Sequence, residues 1–245
     1  MIVTDHHECK EKLPDAIAVV DPHRKDCPYP FKDLAGVGVA FKLICAMEKG
    51  RPLEELMKQY ADLVAVGTVA DVMPLVGENR SIVHWGLQYL QNTKNPGLRA
   101  LMQKLGVEDK GVTAGVISFT MAPRINAAGR MGGADKAVEL FLTDSCRVAG
   151  ELAGELCQLN RQRQQEENQI FQEILGRLSS QFDPQRDKSI VLWGENWHNG
   201  VVGIVASRLA DRYGVPAILI SLDGDTGKGS GRSVPGFHLY GGLEE

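Results

Sequence analysis

The feature that most constrains this chain is a helical stretch from about Arg147 to Leu178. It is far longer than the helices that pack inside one layered domain. Its apolar positions at Leu152, Leu156 and Leu159 hand over to a polar centre, Asn160 to Gln169. Apolar residues return at Ile170, Ile174 and Leu178. A helix polar all round at its middle bridges two domains through solvent. The pattern therefore predicts a first domain over 1–146, a linker helix over 147–180 and a second domain over 181–245. With 245 residues and 43% hydrophobic content, each body has material for a core.

Both flanks read as α/β. Residues 1–4 form a short β-branched strand, and Ala16 to Val20 form another, bounded by Pro14 and Asp21-Pro22. Asp26 to Pro30 is loop. Helical spacing runs through Val37, Ala40, Phe41, Ile44 and Met47, closed by Gly50 and Pro52. Further helices are expected over 53–70, Asn79 to Gln91 and Ala134 to Leu142. Residues 112–121 are small and apolar until Pro123 breaks the pattern. Beyond Asp183-Pro184 a new unit begins, with a strand from Ser189 to Trp193 and a helix from Val201 to Tyr213 closed by Gly214. Strands follow over Ala217 to Ser221 and Gly229 to Val234. Only two clear strands precede the long helix. Two strands do not make a stable sheet, and a parallel sheet needs cover on both faces. The chain is thus expected to be a fragment, cut at Met1 and again after Glu245.

The net charge of -4 argues against a generic nucleic-acid glue, so any polyanion site must be local. Five scattered cysteines without a C-x-x-C fit a reduced cytoplasmic protein, not a disulfide scaffold or zinc ribbon. No signal peptide precedes Asp5, and no apolar run is long enough for a membrane span.

Three segments carry candidate chemistry. Asp5-His6-His7 follows directly on a strand, and ligands bind at the carboxyl ends of parallel strands. Imidazole and carboxylate together suit manganese, magnesium, iron or zinc; a loop of two solvated histidines is the plainer alternative. Asp71 is a lone acid in Gly67 to Leu75, and a buried carboxylate needs a metal, a charge partner or a proton. The plainer alternative is an acid held by backbone donors. Ala122 to Gly132 sets Arg124, Asn126 and Arg130 among small residues, where a backbone can approach closely and arginine can grip phosphate. In the second domain, His198 lies at a helix start as a cap or a phosphate contact. Lys228 to Ser233 reads as a phosphate cradle or a plain glycine-rich hairpin.

Together these segments resemble the DHH phosphoesterase superfamily, and within it the RecJ single-strand-specific exonucleases. Asp5-His6-His7 is similar to the motif that names the superfamily. Leu34 to Phe41 and Gly67 to Leu75 resemble the segments that follow it. Arg124-Ile125-Asn126-Ala127-Ala128-Gly129-Arg130 is the more specific signature, and Trp197 to Leu209 with Gly229 to Ser233 resembles the DHH-associated domain. The resemblance implies an α/β fold: an N-terminally incomplete, Rossmann-like parallel-sheet DHH domain joined by a long helix to a smaller α/β DHH-associated domain.

It also implies stepwise 5′-to-3′ hydrolysis of single-stranded DNA, in repair and recombination, with two Mn2+ or Mg2+ ions per complete site. By position, His6 and Asp71 become metal ligands. His7 is a ligand or contacts the scissile phosphate, and Asp5 orients the histidines. Arg124, Asn126 and Arg130 hold DNA near the metals, and His198, Gly229, Ser230, Gly231, Arg232 and Ser233 hold phosphates from an opposite wall, across a cleft that admits one strand. Single-strand-binding protein and a recombination helicase are the implied partners.

The family's Asp-x-Asp and further Asp upstream of the histidine motif have no counterpart here. Two hard ions want about six ligands each, so this chain alone is expected to bind metal weakly and turn over poorly. The competing readings are a DHH phosphodiesterase of small substrates (oligoribonucleotides, cyclic dinucleotides or adenosine bisphosphate) and a metal-free nucleic-acid-binding scaffold.

Overall fold

A computed structural model describes residues 1–108, 111–183 and 185–244. Pro184, at the expected start of the second α/β unit, and Glu245 lie outside the described residues. The chain divides into two units, Met1–Asn126 with Lys136–Glu155, and Ala127–Asp135 with Leu156–Glu245.

In the first unit, β1 (Ile2–Thr4) and β2 (Ala18–Val20) pair in parallel, with Thr4 opposite Val20. Both strands therefore end side by side, and each is followed by an aspartate, Asp5 and Asp21. The helices α1 (Gly36–Met47), α2 (Leu53–Ala70), α3 (Gly77–Gln91) and α4 (Pro96–Leu105) follow. Leu34, Val39, Phe41, Leu56, Val64 and Ile82 form a core. Gly86 lets α2 and α3 touch: a Cβ there would lie 2.3 Å from the Ala61 carbonyl oxygen.

Next come α5 (Ala114–Val116), a π turn over Ile117–Met121, α6 (Ala122–Arg130), α7 (Ala134–Leu142) and α8 (Cys146–Gln181). The unit division falls inside α6, near the start of α7 and again inside α8. In the second unit β3 (Ile190–Glu195) crosses through α9 (Asn199–Tyr213) to the parallel strand β4 (Ala217–Asp223). β5 (Thr226–Arg232) returns antiparallel, placing Leu219 opposite Ser230. The short helix α10 (Gly241–Glu244) ends the described chain. Val201, Val205 and Leu209 of α9 pack with Ile170, Phe171 and Ile174 of α8 and with Leu219.

Three local expectations are corrected. Pro123 does not break the helical path: α6 continues through it. The widened π turn just before it is the kind of irregularity that accommodates a residue lacking an N–H. Helix α4 has no counterpart among the expected helices, although its signals are complete. Asn95 accepts the Leu98 N–H, Pro96 takes the first position, and Gly106 closes the helix at φ 63°. The polar centre of α8 is not solvated all round. Asn160 is buried, and the side chains of Arg163 and Glu167 are only 12% and 14% exposed.

Candidate functional site

The first unit holds a cluster of imidazoles and carboxylates. Asp5 lies one residue past β1, where Oδ1 accepts the His6 N–H at 2.7 Å and the His7 N–H at 3.3 Å. The same oxygen lies 2.7 Å from His7 Nδ1. This Asx-type turn folds the two histidines back around one carboxylate. The His7 hydrogen bond, then the His6 N–H, hold the Asp5 carboxyl below its ordinary value, and the same bond to Asp5 raises His7. Donor atoms of Asp5, His6 and His7 all lie within 4.8 Å of one another, a spacing that can hold a metal ion.

Asp71 joins this cluster from far along the sequence. Its Oδ2 lies 3.2 Å from His6 Nε2, and the His6 side chain is only 15% exposed. A Cβ on Gly36 would lie 3.3 Å from the His6 ring, so the start of α1 closes on that imidazole. Asp71 caps the C-terminal end of α2. The Met73 N–H bonds the Thr68 carbonyl and the Val72 N–H bonds the Val69 carbonyl, a Schellman closure. That closure puts Val72 at φ 57°, where glycine is usual and a β-branched residue is strained. A helix C-terminus carries partial negative charge, so a carboxylate there is disfavoured unless a cation answers it.

The sequence marks Asp21 only as a strand boundary. In the structure it ends β2 as Asp5 ends β1, and its side chain is 2% exposed. Oδ1 takes the His23 N–H at 2.8 Å and Oδ2 takes the Cys9 thiol at 3.2 Å. The strand-end rule that singles out Asp5 applies to it equally. Arg124 turns back to donate to the Thr120 carbonyl of the preceding π turn at 2.9 Å, and Asn126 is exposed.

The second unit assembles a different chemistry. Trp197 is buried and wedged on Gly194, with its indole N–H on Glu173 and its carbonyl on the Ser221 hydroxyl. This fixes His198 as the N-cap of α9, its Nδ1 accepting the Gly200 N–H at 3.0 Å. The neutral ring then carries its proton on Nε2, which is left as a donor. Arg130 donates to the Gly200 carbonyl at 3.2 Å. A Cβ on Gly200 would lie 2.2 Å from the Arg130 carbonyl oxygen, and one on Gly203 would lie 2.7 Å from Ser230 Oγ and 3.3 Å from Arg232 Nη2. Two glycines of one helix therefore admit α6 and β5.

Ser230 and Arg232 share the β5 face toward α9. Gly229 and Gly231 fall on the other face, where a Cβ would meet Ile220, and Ile218 with Leu239. The Ser233 hydroxyl is turned to the Phe237 carbonyl. Burial, then the charges of Arg163 and Arg232, lower the Arg130 pKa, while Glu167 opposes them. The structure thus brings Arg130, His198, Ser230 and Arg232 to the start of α9, while Glu167, which the sequence pattern assigns to the linker with Arg163, meets the middle of α9 at Arg208.

Known protein families match one segment in each unit. Residues 1–68 match the DHH family, N-terminal domain, and residues 186–245 match the DHHA1 domain. A single-stranded-DNA-specific exonuclease RecJ of Bacillus subtilis (strain 168) is 43% identical over 100% of this chain and 30% of its own length. A crystal structure of exonuclease RecJ bound to manganese is 40% identical, with a TM-score of 0.82, over 99% of this chain and 59% of that one. RecJ from Thermus thermophilus in complex with Mn2+ is 41% identical, with a TM-score of 0.82, over 96% of this chain and 34% of that one. The chain thus spans about a third to three-fifths of the length of these relatives. With a DHH match at its start, a DHHA1 match at its end and similarity throughout, this chain carries DHH and DHHA1 domains and is similar from end to end to part of the RecJ exonucleases.

Proposed function

We propose that these residues serve a metal-dependent exonuclease that shortens single-stranded DNA from its 5′ end. The observation that carries the reading is the pairing of His6 with Asp71 at 3.2 Å beside the Asp5–His7 turn. Asp5, His6 and His7 group their donor atoms within 4.8 Å, and Asp71, far along the sequence, meets them at His6. The set suits Mn2+ or Mg2+, the ions bound by the RecJ structures to which this chain is similar.

His6, Asp71 and His7 would hold the ion, with Asp5 orienting the imidazoles through its three hydrogen bonds. Three such ligands with waters would serve one ion; two ions of about six ligands each require further donors. Such ions supply an acidified water and the charge that stabilises the attacking and leaving oxygens. In the second unit Arg130 and Arg232 would neutralise phosphate, the Ser230 hydroxyl would donate to it, and the His198 Nε2–H and the N-terminus of α9 would favour the same anion. Arg124 and Asn126 would hold the strand nearer the metals.

Among the described residues no helix is long and apolar enough to cross a membrane, and all five cysteines are free. We infer a cytoplasmic role in repair and recombination, with single-strand-binding protein and a helicase as partners.

The test is binding of Mn2+ and fluorescent oligonucleotides to the chain. A 5′-phosphorylated single strand is expected to bind more tightly than duplex, with an affinity that falls with salt by a logarithmic slope of about 0.7 per phosphate contacted. Salt-independent binding, or a dinucleotide bound as well as a long strand, would overturn the reading. The second result would return it to a small-substrate phosphodiesterase.

A further inference from the structure

Helix α8 carries a polar row that the proposed chemistry does not use. Asn160, Arg163 and Glu167 recur at helical spacing and turn into the second unit. Arg163 Nη1 donates to Glu167 at 2.7 Å, and Nη2 donates to the buried Asn160 side chain at 3.0 Å. Its Nε–H is buried without an acceptor. Glu167 also takes Arg208 at 2.8 Å, and the Arg208 guanidinium lies 3.8 Å over the Phe171 ring. A charged pair this deep contributes little to stability. Well-packed apolar residues of similar volume would often serve at least as well.

The distribution of charge gives the row a purpose. Glu167 reaches α9 at Arg208, and the same helix takes Arg130 at Gly200 and Arg232 at Gly203; around Arg130 the charges of Arg163 and Arg232 are like, and that of Glu167 is opposite. Glu167 divides itself between two arginines, so the group keeps a positive excess. Arg163 and Glu167 are shielded from water, where charges act more strongly, while Arg130 and Arg232 are exposed.

We propose that Arg163 and Glu167 form an electrostatic setting for the phosphate pocket at the start of α9: Arg163 tightens its hold on an anion and Glu167 loosens it, neither touching the ligand. This rests on the phosphate-binding reading of Arg130 and Arg232. Arg163 is then a positioning residue, acting through the field at Arg130. The carboxylate keeps the pocket from binding a polyanion so firmly that it cannot let go.

The two residues make opposite predictions, which a structural role does not. Arg163→Gln and Glu167→Gln both break the 2.7 Å pair, so both should lower the melting temperature. Binding of a fluorescent 5′-phosphorylated single strand should separate them. Arg163→Gln is expected to weaken it about three- to tenfold, and Glu167→Gln to tighten it by a similar factor. Arg163→Lys, which keeps the charge but not the fork, should recover most of the affinity. If both glutamine variants move affinity in the same direction, or neither moves it, the inference is overturned. Arg232→Ala measured alongside tells the two readings apart. Should it weaken binding while the α8 variants do not, only the setting fails. Should it also leave binding unchanged, the phosphate pocket itself is wrong.

Discussion

The two units each gather like charges, but of opposite sign and by different means. In the first unit Asp5 and Asp21 follow neighbouring strand ends and Asp71 closes a helix. They are held by local turns: an Asx turn at Asp5, another at Asp21 and a Schellman closure around Asp71. In the second unit the arginines come from α6, α8 and β5, and they are held by close packing at Gly200 and Gly203. Gathering like charges costs free energy in the protein alone, and a ligand of opposite sign returns it. A cation site built from turns can adjust its donors to an ion. An anion site built on packed backbones presents guanidinium groups that are already placed.

The comparison is broken most directly at Asp71. Asp71→Asn keeps the shape of the helix end and removes one charge from the cluster. Mn2+ affinity, measured by titration calorimetry, should fall by more than the roughly 10–100-fold that loss of an outer-shell partner costs. Oligonucleotide binding measured without metal should stay unchanged, because Arg130 and Arg232 lie in the other unit and Arg124 bonds its own chain, not Asp71. Unaltered Mn2+ affinity would remove Asp71 from the ligand set.

A second break belongs to the arginine side. Gly200→Ala would set a Cβ 2.2 Å from the Arg130 carbonyl oxygen, a backbone atom that cannot rotate away. Overpacking of this kind costs about 1–3 kcal/mol. Chemical denaturation should register that loss, and single-strand binding should weaken as Arg130 is displaced, with Mn2+ affinity untouched. Gly129→Ala is the control. Its Cβ would meet nothing within 4 Å, and alanine favours the helix, so stability should hold or rise. Equal behaviour of the two variants would show that close approach at Gly200 has no consequence.

How much of this can be read in the sequence follows the same divide. Asp5-His6-His7 is legible because its geometry is local: a β run, an acid and two imidazoles in consecutive positions. Helices α2 and α7 are legible to their ends, over 53–70 and Ala134 to Leu142, because apolar spacing and flanking breakers coincide there. Asp21 is visible but silent, since its adjacency to Asp5 depends on strands pairing in parallel. Arg163 and Glu167 mislead because polar residues at helical spacing look the same whether they face water or one another. Only the packing of Ile170, Phe171 and Ile174 against α9 turns that face inward. The glycines of β5 suggest a cradle, yet alternation places them opposite Ser230 and Arg232. The residues that carry the charge and those that carry the space are adjacent in sequence and separate in structure.

The smallest expected effect sharpens the cation side. Val72 sits at φ 57° and is 82% exposed, so it bears left-handed strain with little burial to offset it. A left-handed L-residue costs roughly 1–2 kcal/mol, and glycine relieves that at an entropic cost of about 0.5–1 kcal/mol in the unfolded chain. Val72→Gly should therefore raise stability by about 0.5–1 kcal/mol, read as a modest rise in melting temperature. Val72→Ala keeps the strain and should gain almost nothing. Mn2+ affinity then reports what the strain does. If the hydrogen bonds of Met73 and Val72 to the last turn of α2 hold Asp71 in place, affinity stays within about twofold, because both are backbone bonds that glycine keeps. A clear loss of affinity in the glycine variant, with stability raised, would mean that the strained valine itself aims the carboxylate at His6.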